Sequence, residues 1–409
     1  MMSNQEIIVL GGGLVGKTAA LTFAQKGFKV FHIASSLAPK NSAGAQSLVD
    51  PAWQSRVFAI STSSQQLLQQ LQVWDALPQE RIQVVSDMRI FGDEAHIDRS
   101  LHFSAFEAGV PQLSWIVEAS LIEHGLDLAS RFCQTLTRVE AEVLDIKMLE
   151  RGVQVCTDHG NFGAQVIIAA DGANSPTRTH FGIEISNENY VHSAVVANLE
   201  CSQAHLQTAY QWFLPGGDVL ALLPLPGQRA SLVWSTQHEN AQSLVNCANT
   251  EPEAFCQRIA QAAQGMVTHE LGSLRLLNLA QSYPLRKLRA KRLIGPSVDP
   301  KIILVGDSAH AMHPIIHACR AQIANIKTLN TFIATTLILI VSISRFSFFQ
   351  HFIFLRIDLF IFEIIFFSIF FRFIANHGVS LFFVLISINN FHNYWLIDNA
   401  IIALHYFHF

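Results

Sequence analysis

The chain has 409 residues, half of them hydrophobic, and a formal net charge of −4. That length accommodates two domains, and without a basic surplus a nucleic-acid partner is not expected. The six cysteines (133, 156, 201, 247, 256 and 319) show no Cys-x-x-Cys pair and no metal-ligand spacing. They read as reduced thiols of a cytosolic protein, with no metal site.

The N-terminus carries no basic segment and no cleavage site, so no signal peptide is expected. Ile7-Ile8-Val9-Leu10 is an apolar run suited to a strand buried on both faces. It feeds Gly11-Gly12-Gly13-Leu14-Val15-Gly16, which contains Gly-x-Gly-x-x-Gly. A helix to about residue 26 and a second strand over 28–34 should follow. In this strand–turn–helix setting the motif points to a dinucleotide rather than to a plain glycine turn. Gly11 would make the tight turn, Gly13 would let backbone approach a pyrophosphate, and Gly16 would allow close helix–strand packing. The acid expected at the end of the second strand, for the adenosine ribose, is replaced by Ala34, with Ser35 and Ser36 after it.

Residues 35–55 read as a polar loop. Arg56-Val57-Phe58-Ala59-Ile60-Ser61 then leads into a helix whose stripe (Leu67, Leu68, Leu71, Trp74, Leu77) is core. Arg56 is either a solvated charge or a contact to cofactor phosphate or a ring edge. Met88-Arg89-Ile90-Phe91 reads as a strand, 115–124 as a helix, and 136–146 with 152–157 as paired strands. A buried strand, Val166-Ile167-Ile168-Ala169-Ala170, then delivers Asp171-Gly172 and a polar turn that carries Arg178. From about 190 to 279 short alternating strands and turns predict antiparallel sheet, with a helix over 251–264. This region reads as a second domain inserted into the first, making an interdomain cleft for a small molecule. The chain returns to the first domain near Tyr283 and reaches Gly306-Asp307-Ser308-Ala309-His310-Ala311-Met312-His313-Pro314 after another β-branched run.

Three signals thus stand in order: Gly-x-Gly-x-x-Gly, Ala-Asp-Gly-Ala-Asn-Ser-x-x-Arg and Gly-Asp-Ser-Ala-His-x-x-His-Pro. Together they resemble the FAD-dependent aromatic hydroxylases of the para-hydroxybenzoate hydroxylase fold. More narrowly, 56–61, Val73-Trp74, Ile116-Val117-Glu118, 220–226 and 231–234 resemble the ubiquinone-biosynthesis hydroxylases. The resemblance spans about 5–314. It implies an α/β fold with an α+β insertion: a Rossmann-like FAD-binding domain and an inserted antiparallel-sheet substrate domain. The expected segments are 1–75, 101–185 and 281–315 for FAD, and 76–100 and 186–280 for substrate.

The resemblance also implies roles. Gly11, Gly13 and Gly16 would hold the FAD pyrophosphate. Asp171 and Gly172 would lie near the pyrophosphate and the path of the nicotinamide. Gly306 and Asp307 would meet the ribityl chain, Pro314 would lie beside the flavin ring, and Arg56 would contact the cofactor. NAD(P)H would be the co-substrate reducing FAD. O2 would form a flavin C4a-hydroperoxide that attacks a polyprenylated phenol or benzoquinol in ubiquinone biosynthesis. The implied location is the cytoplasm, peripheral at the inner membrane, with association in a ubiquinone-biosynthesis complex. His310 and His313 read as structural, and the catalytic residues are left unassigned. Two other FAD activities of the same fold, reduction and halogenation, share these signals.

Three departures stand inside this pattern. Ala34 replaces the ribose acid. Ala119 stands where the family has Asn after Ile-Val-Glu. After Pro314 the family expects Gly-Gln-Gly-x-Asn-x-Gly, whereas residues 315–324 contain no glycine. The composition changes there too: one glycine of 22, Gly378, lies beyond Pro314, against 18 of 30 phenylalanines. With suitable codons, Cys319 to Ile323 spell Gln-Gly-x-Asn in a shifted frame. The 316–409 tail is therefore read as an out-of-frame product, aggregation-prone through its apolar β-forming windows. A hydrophobic hairpin or tail anchor is the other reading. A chain without the flavin loop is also compatible with an inactive remnant of the family.

Overall fold

The structure is a computed structural model that describes residues 6–37, 53–92, 97–188, 192–296 and 300–311. Every described residue lies within the unit Met1–Ala334. Pro314, His313 and the 316–409 tail lie outside the described residues.

The architecture is the expected mixed α/β. A six-stranded sheet runs in the order Ile294–Gly295, Ile302–Leu304, Val166–Ala169, Ile7–Leu10, Val30–Ala34, Leu136–Glu140. All its pairings are parallel except the first. Ile7, Ile8, Val9, Ile167, Ile168 and Ile302 are fully buried, as strands covered on both faces require. The Leu14–Gln25 helix lies on one side with the Ala119–Arg131 helix. A three-stranded antiparallel sheet of Val143–Leu149, Gly152–Thr157 and Gly160–Ala164 contributes Ile146, Val153 and Val155 to the core of the six-stranded sheet.

A second, larger sheet holds Leu274–Leu276, His192–Cys201, Arg229–Gln237, Val219–Leu225, Thr208–Phe213, Asp87–Phe91 and Leu101–Ser104 in that order, with Gln281–Pro284 also paired to His192–Cys201. One face is covered by the helices His238–Thr250, Pro252–Ala262 and Met266–Leu271. They bury Leu244, Phe255 and Ile259 against Val195, Trp212, Leu232 and Trp234. Strand pairing carries this sheet past residue 100 to Ser104, and past 280 to Pro284, across two of the expected segment limits.

Local expectations needed three corrections. Residues 115–118 are not helical: Ser114–Glu118 is a strand, and the helix begins at Ala119. Trp-Ile-Val, two of them β-branched, packs well on a pleated surface, so the strand wins. Residues 136–146 are not one strand. Leu136–Glu140 joins the parallel sheet beside Val30–Ala34, and only Val143–Leu149 pairs with Gly152–Thr157. The expected helix over 251–264 is one of three in a row. Pro252, favourable at a first helical turn, separates it from the helix before it. No helix among the described residues is long and apolar enough to cross a membrane.

Candidate functional site

The three motifs meet because their strands are neighbours. Ile7–Leu10, Val166–Ala169 and Ile302–Leu304 run parallel, so their C-terminal ends deliver Gly11, Asp171 and Gly306 to one sheet edge. Backbone bonds stitch the edge together: Gly11 N–H to Ile33 O (3.0 Å), Ala170 N–H to Leu10 O (2.7 Å) and Val305 N–H to Ala169 O (2.9 Å). The carboxyl edge of a parallel sheet is the usual place for a ligand in this architecture.

The glycines divide into two kinds. Gly11 has a φ of +113°, and a Cβ there would sit 2.2 Å from the Ala170 carbonyl oxygen. A Cβ on Gly16 would lie 1.9 Å from the Gly11 carbonyl oxygen. Both residues are demanded by the protein's own packing. Gly13 is different. It is the N-cap of the Leu14–Gln25 helix, it is extended, and a Cβ there would meet nothing within 4 Å. Gly172, at φ +86°, faces open space as well. No side chain caps the helix start, so its first N–H groups remain for an acceptor from outside. These features fit a pyrophosphate.

Asp171 is partly buried. Its Oδ2 accepts the Thr177 N–H at 3.0 Å, while Oδ1 is buried without a partner among the described residues. A buried acceptor left open is costly unless a ligand or water completes it. Arg178, 5% exposed, clamps the edge from behind, donating to Ser308 O (2.9 Å) and Ala173 O (2.7 Å). Burial lowers its pKa below the ordinary arginine value, and the Asp171 charge opposes that shift. Arg178 therefore holds the second and third motifs together. Ser308 reinforces the join through Oγ, which reaches Ala169 O (2.6 Å) and Val305 O (2.8 Å). Gly306, at φ +62°, packs against Val15, where a Cβ would come within 2.9 Å of the valine side chain. Asp307, partly buried, follows it in a 3-10 turn. His310 belongs to the short strand His310–Ala311, paired with Lys287–Ala290.

Arg56 is exposed, with its guanidinium 5.3 Å from the centre of the Phe58 ring. The segment before it is anchored by Glu118, which carries part of the family resemblance, and by Arg81 and Asn198, which the sequence did not single out. Glu118, 1% exposed, receives Arg81 through two bonds of 2.8 Å and the Gln54 N–H at 2.7 Å. Arg81 also stacks 4.1 Å over the Trp53 ring. Asn198 donates from Nδ2 to Gln54 O at 2.9 Å, joining this segment to the larger sheet. Ala119, at the departure from the family pattern, opens its helix by donating its N–H to Arg56 O at 3.0 Å.

Two buried side chains beneath the glycine turn also escaped the sequence reading. His32 donates from Nε2 to the Gly11 carbonyl at 2.9 Å, a tautomer inferred from that partner. Burial pulls its pKa down to about 4, with the Lys17 and Arg138 charges adding to the effect. Lys17 is 2% exposed, with Nζ lacking a partner among the described residues. Desolvation lowers its pKa, and the charges of Asp127 and Glu123 counter it. Neither residue had a signal in sequence, since an isolated histidine or lysine in an amphipathic stretch is ordinarily solvated.

Comparison with known proteins bears on the identity of the ligand. A family model described as an FAD binding domain matches residues 4–317. The chain is 31% identical over 325 residues to the 3-demethoxyubiquinol 3-hydroxylase of Escherichia coli, covering 77% of this chain and 76% of that protein. It is 30% identical over 312 residues to the ubiquinone hydroxylase UbiL of Rhodospirillum rubrum, covering 76% and 67%. Among solved structures, PqsL of Pseudomonas aeruginosa, titled "a probable FAD-dependent monooxygenase", matches with a TM-score of 0.59 at 16% identity. That match covers 76% of this chain and 80% of PqsL, and it shows a shared fold.

Proposed function

Because the chain belongs to the FAD-binding family of flavin monooxygenases, we propose that it hydroxylates a polyprenylated phenol or benzoquinol in ubiquinone biosynthesis. FAD is the cofactor, NAD(P)H the reductant and O2 the oxygen source. One oxygen atom enters the ring as a hydroxyl and the other leaves as water, with two electrons from NAD(P)H balancing the step. Bound FAD supplies the redox chemistry, and the protein supplies binding, orientation and exclusion of water.

The observation that carries this reading is the convergence of three motifs on one sheet edge, with Gly13 and Gly172 open to a ligand. In this proposal Gly11, Gly13 and Gly16 hold the pyrophosphate, the first and last by shaping the turn. The unfilled Oδ1 of Asp171 and the open Gly172 lie towards the cofactor. Gly306 and Asp307 meet the ribityl chain, Arg56 a cofactor edge, and Pro314 the flavin ring. The FAD-binding segments are 1–75, 101–185 and 281–315, extended or trimmed where strands pair across those limits. The substrate enters between the two large sheets. Its polyprenyl chain favours a cytoplasmic enzyme held peripherally at the inner membrane, in contact with lipid or with a ubiquinone-biosynthesis complex.

Full-length protein should show a visible flavin spectrum, oxidise NADPH faster when a prenylphenol is added, and yield a hydroxylated product. NADPH oxidation without that product moves the assignment to a reductase. One feature favours a second reading. Residues 315–324 contain no glycine where the family has its flavin loop. A remnant of this kind would purify colourless, and release of no FAD on denaturation would establish it against the enzyme.

A further inference from the structure

We propose that Glu140 is the acid that binds the adenosine ribose of FAD in this chain, taking the part that position 34 leaves empty. The inference rests on FAD as cofactor and is independent of which phenol is hydroxylated.

Ala34 occupies the place of the ribose acid in space as well as in sequence. It ends the Val30–Ala34 strand, and its Cβ would lie 3.2 Å from a Cβ built on Gly12. A carboxylate there would reach the glycine turn; a methyl group offers no acceptor. The next strand supplies one. Leu136–Glu140 lies parallel to Val30–Ala34, and the register pairs Ala34 with Glu140. Paired residues of neighbouring strands project to the same face, about 4.8 Å apart. Glu140 therefore leaves the sheet at the same level and on the same side as Ala34, one strand over.

Its carboxylate is directed along the sheet edge. Glu140 is an exposed residue, yet Oε1 accepts the Leu37 N–H at 3.1 Å. The same Ser36–Leu37 peptide presents its carbonyl oxygen to Gly12, where a Cβ would meet it at 2.1 Å. That peptide thus has the glycine turn on its carbonyl side and Glu140 on its N–H side, which ties the carboxylate to the segment leaving the Val30–Ala34 strand next to the turn. Oε2 is the acceptor assigned to the ribose hydroxyls. Vicinal hydroxyls donate well to a carboxylate, and such charge-assisted bonds are about twice as strong as neutral ones.

A purely structural part for Glu140, as acceptor for Leu37 N–H, predicts different behaviour. Glu140→Gln keeps an amide oxygen for that N–H and removes the charge. In calorimetric titrations of the full-length apoprotein, Glu140→Gln should weaken FAD about tenfold. FMN, which lacks the adenosine ribose, should bind both forms equally. Adding Ala34→Glu to Glu140→Gln should restore FAD affinity by returning a carboxylate to the strand end. FAD affinity within twofold of the parent in Glu140→Gln overturns the proposal. So does an equal loss for FMN, which marks a general defect of the groove.

Discussion

Gly13 and Gly16 stand three residues apart in one motif, and alanine substitution should separate what each contributes. At Gly16 the obstacle to a Cβ is the Gly11 carbonyl at 1.9 Å, which is backbone and cannot swing aside. Real Cβ contacts essentially never fall below 3.0 Å, so the helix start must move away from the turn by roughly 1 Å. Overpacking of this kind costs about 1–3 kcal/mol, and the better helix propensity of alanine returns up to about 1 kcal/mol. Gly16→Ala should therefore lower the melting temperature of the apoprotein, by about 2–4 °C for each kcal/mol in a domain of 150–250 residues. At Gly13 the backbone is extended (φ −77°, ψ 178°) and the space is empty. Gly13→Ala should cost the apoprotein only about 0.5–1 kcal/mol, because alanine is a poorer N-cap than glycine. Its methyl group instead intrudes where the pyrophosphate approaches, so FAD affinity should fall about tenfold or more. Thermal unfolding and calorimetric FAD titration on both variants decide the matter. Gly13→Ala protein that binds FAD as tightly as the parent refutes the assignment of that face. Gly16→Ala protein of undiminished stability refutes the packing argument.

Three further outcomes follow from other parts of the fold. Glu118→Ala removes the buried carboxylate that accepts from Arg81 and from the Gln54 N–H, and breaking a buried pair from one side costs about 3–5 kcal/mol. A urea midpoint unchanged from the parent would contradict it. His32 has a folded-state pKa of about 4, below its ordinary 6.5, so the unfolded chain takes up the proton first as pH falls. The stability it contributes is complete above pH 6.5 and is lost between 6.5 and about 4, up to about 3 kcal/mol. His32→Gln should flatten that part of the pH–stability curve, and an unaltered curve would count against the burial argument. Ser308→Ala removes the Oγ bonds to Ala169 and Val305 while Val305 N–H still serves Ala169 O, so a loss of only about 1 kcal/mol is expected in denaturant titration.

The family and its cofactor were legible because their signals are local. An apolar strand followed by Gly11-Gly12-Gly13, and another followed by Asp171-Gly172, are written in consecutive residues. So were Val30–Ala34 and the Leu14–Gln25 helix, within two residues at their ends. The misread segments were those where local preference left two answers. Trp115-Ile116-Val117 suits a strand as well as the start of a helix, and its pairing with Val57–Ile60 settled it. Residues 136–146 look continuous until Leu136–Glu140 finds a parallel partner over a hundred residues earlier in the chain.

The sequence by itself determined the order of the three motifs, the missing acid at Ala34 and the change of composition after Pro314. Those are statements about neighbours along the chain. Only the tertiary structure decided that Gly16 answers to the Gly11 carbonyl while Gly13 faces open space. It also decided that Arg178 bridges to Ser308, that Glu118 is buried against Arg81, and that Glu140 stands beside Ala34. Each of these joins residues brought together by strand register and chain crossover, and that proximity leaves no mark on the spacing of residue types.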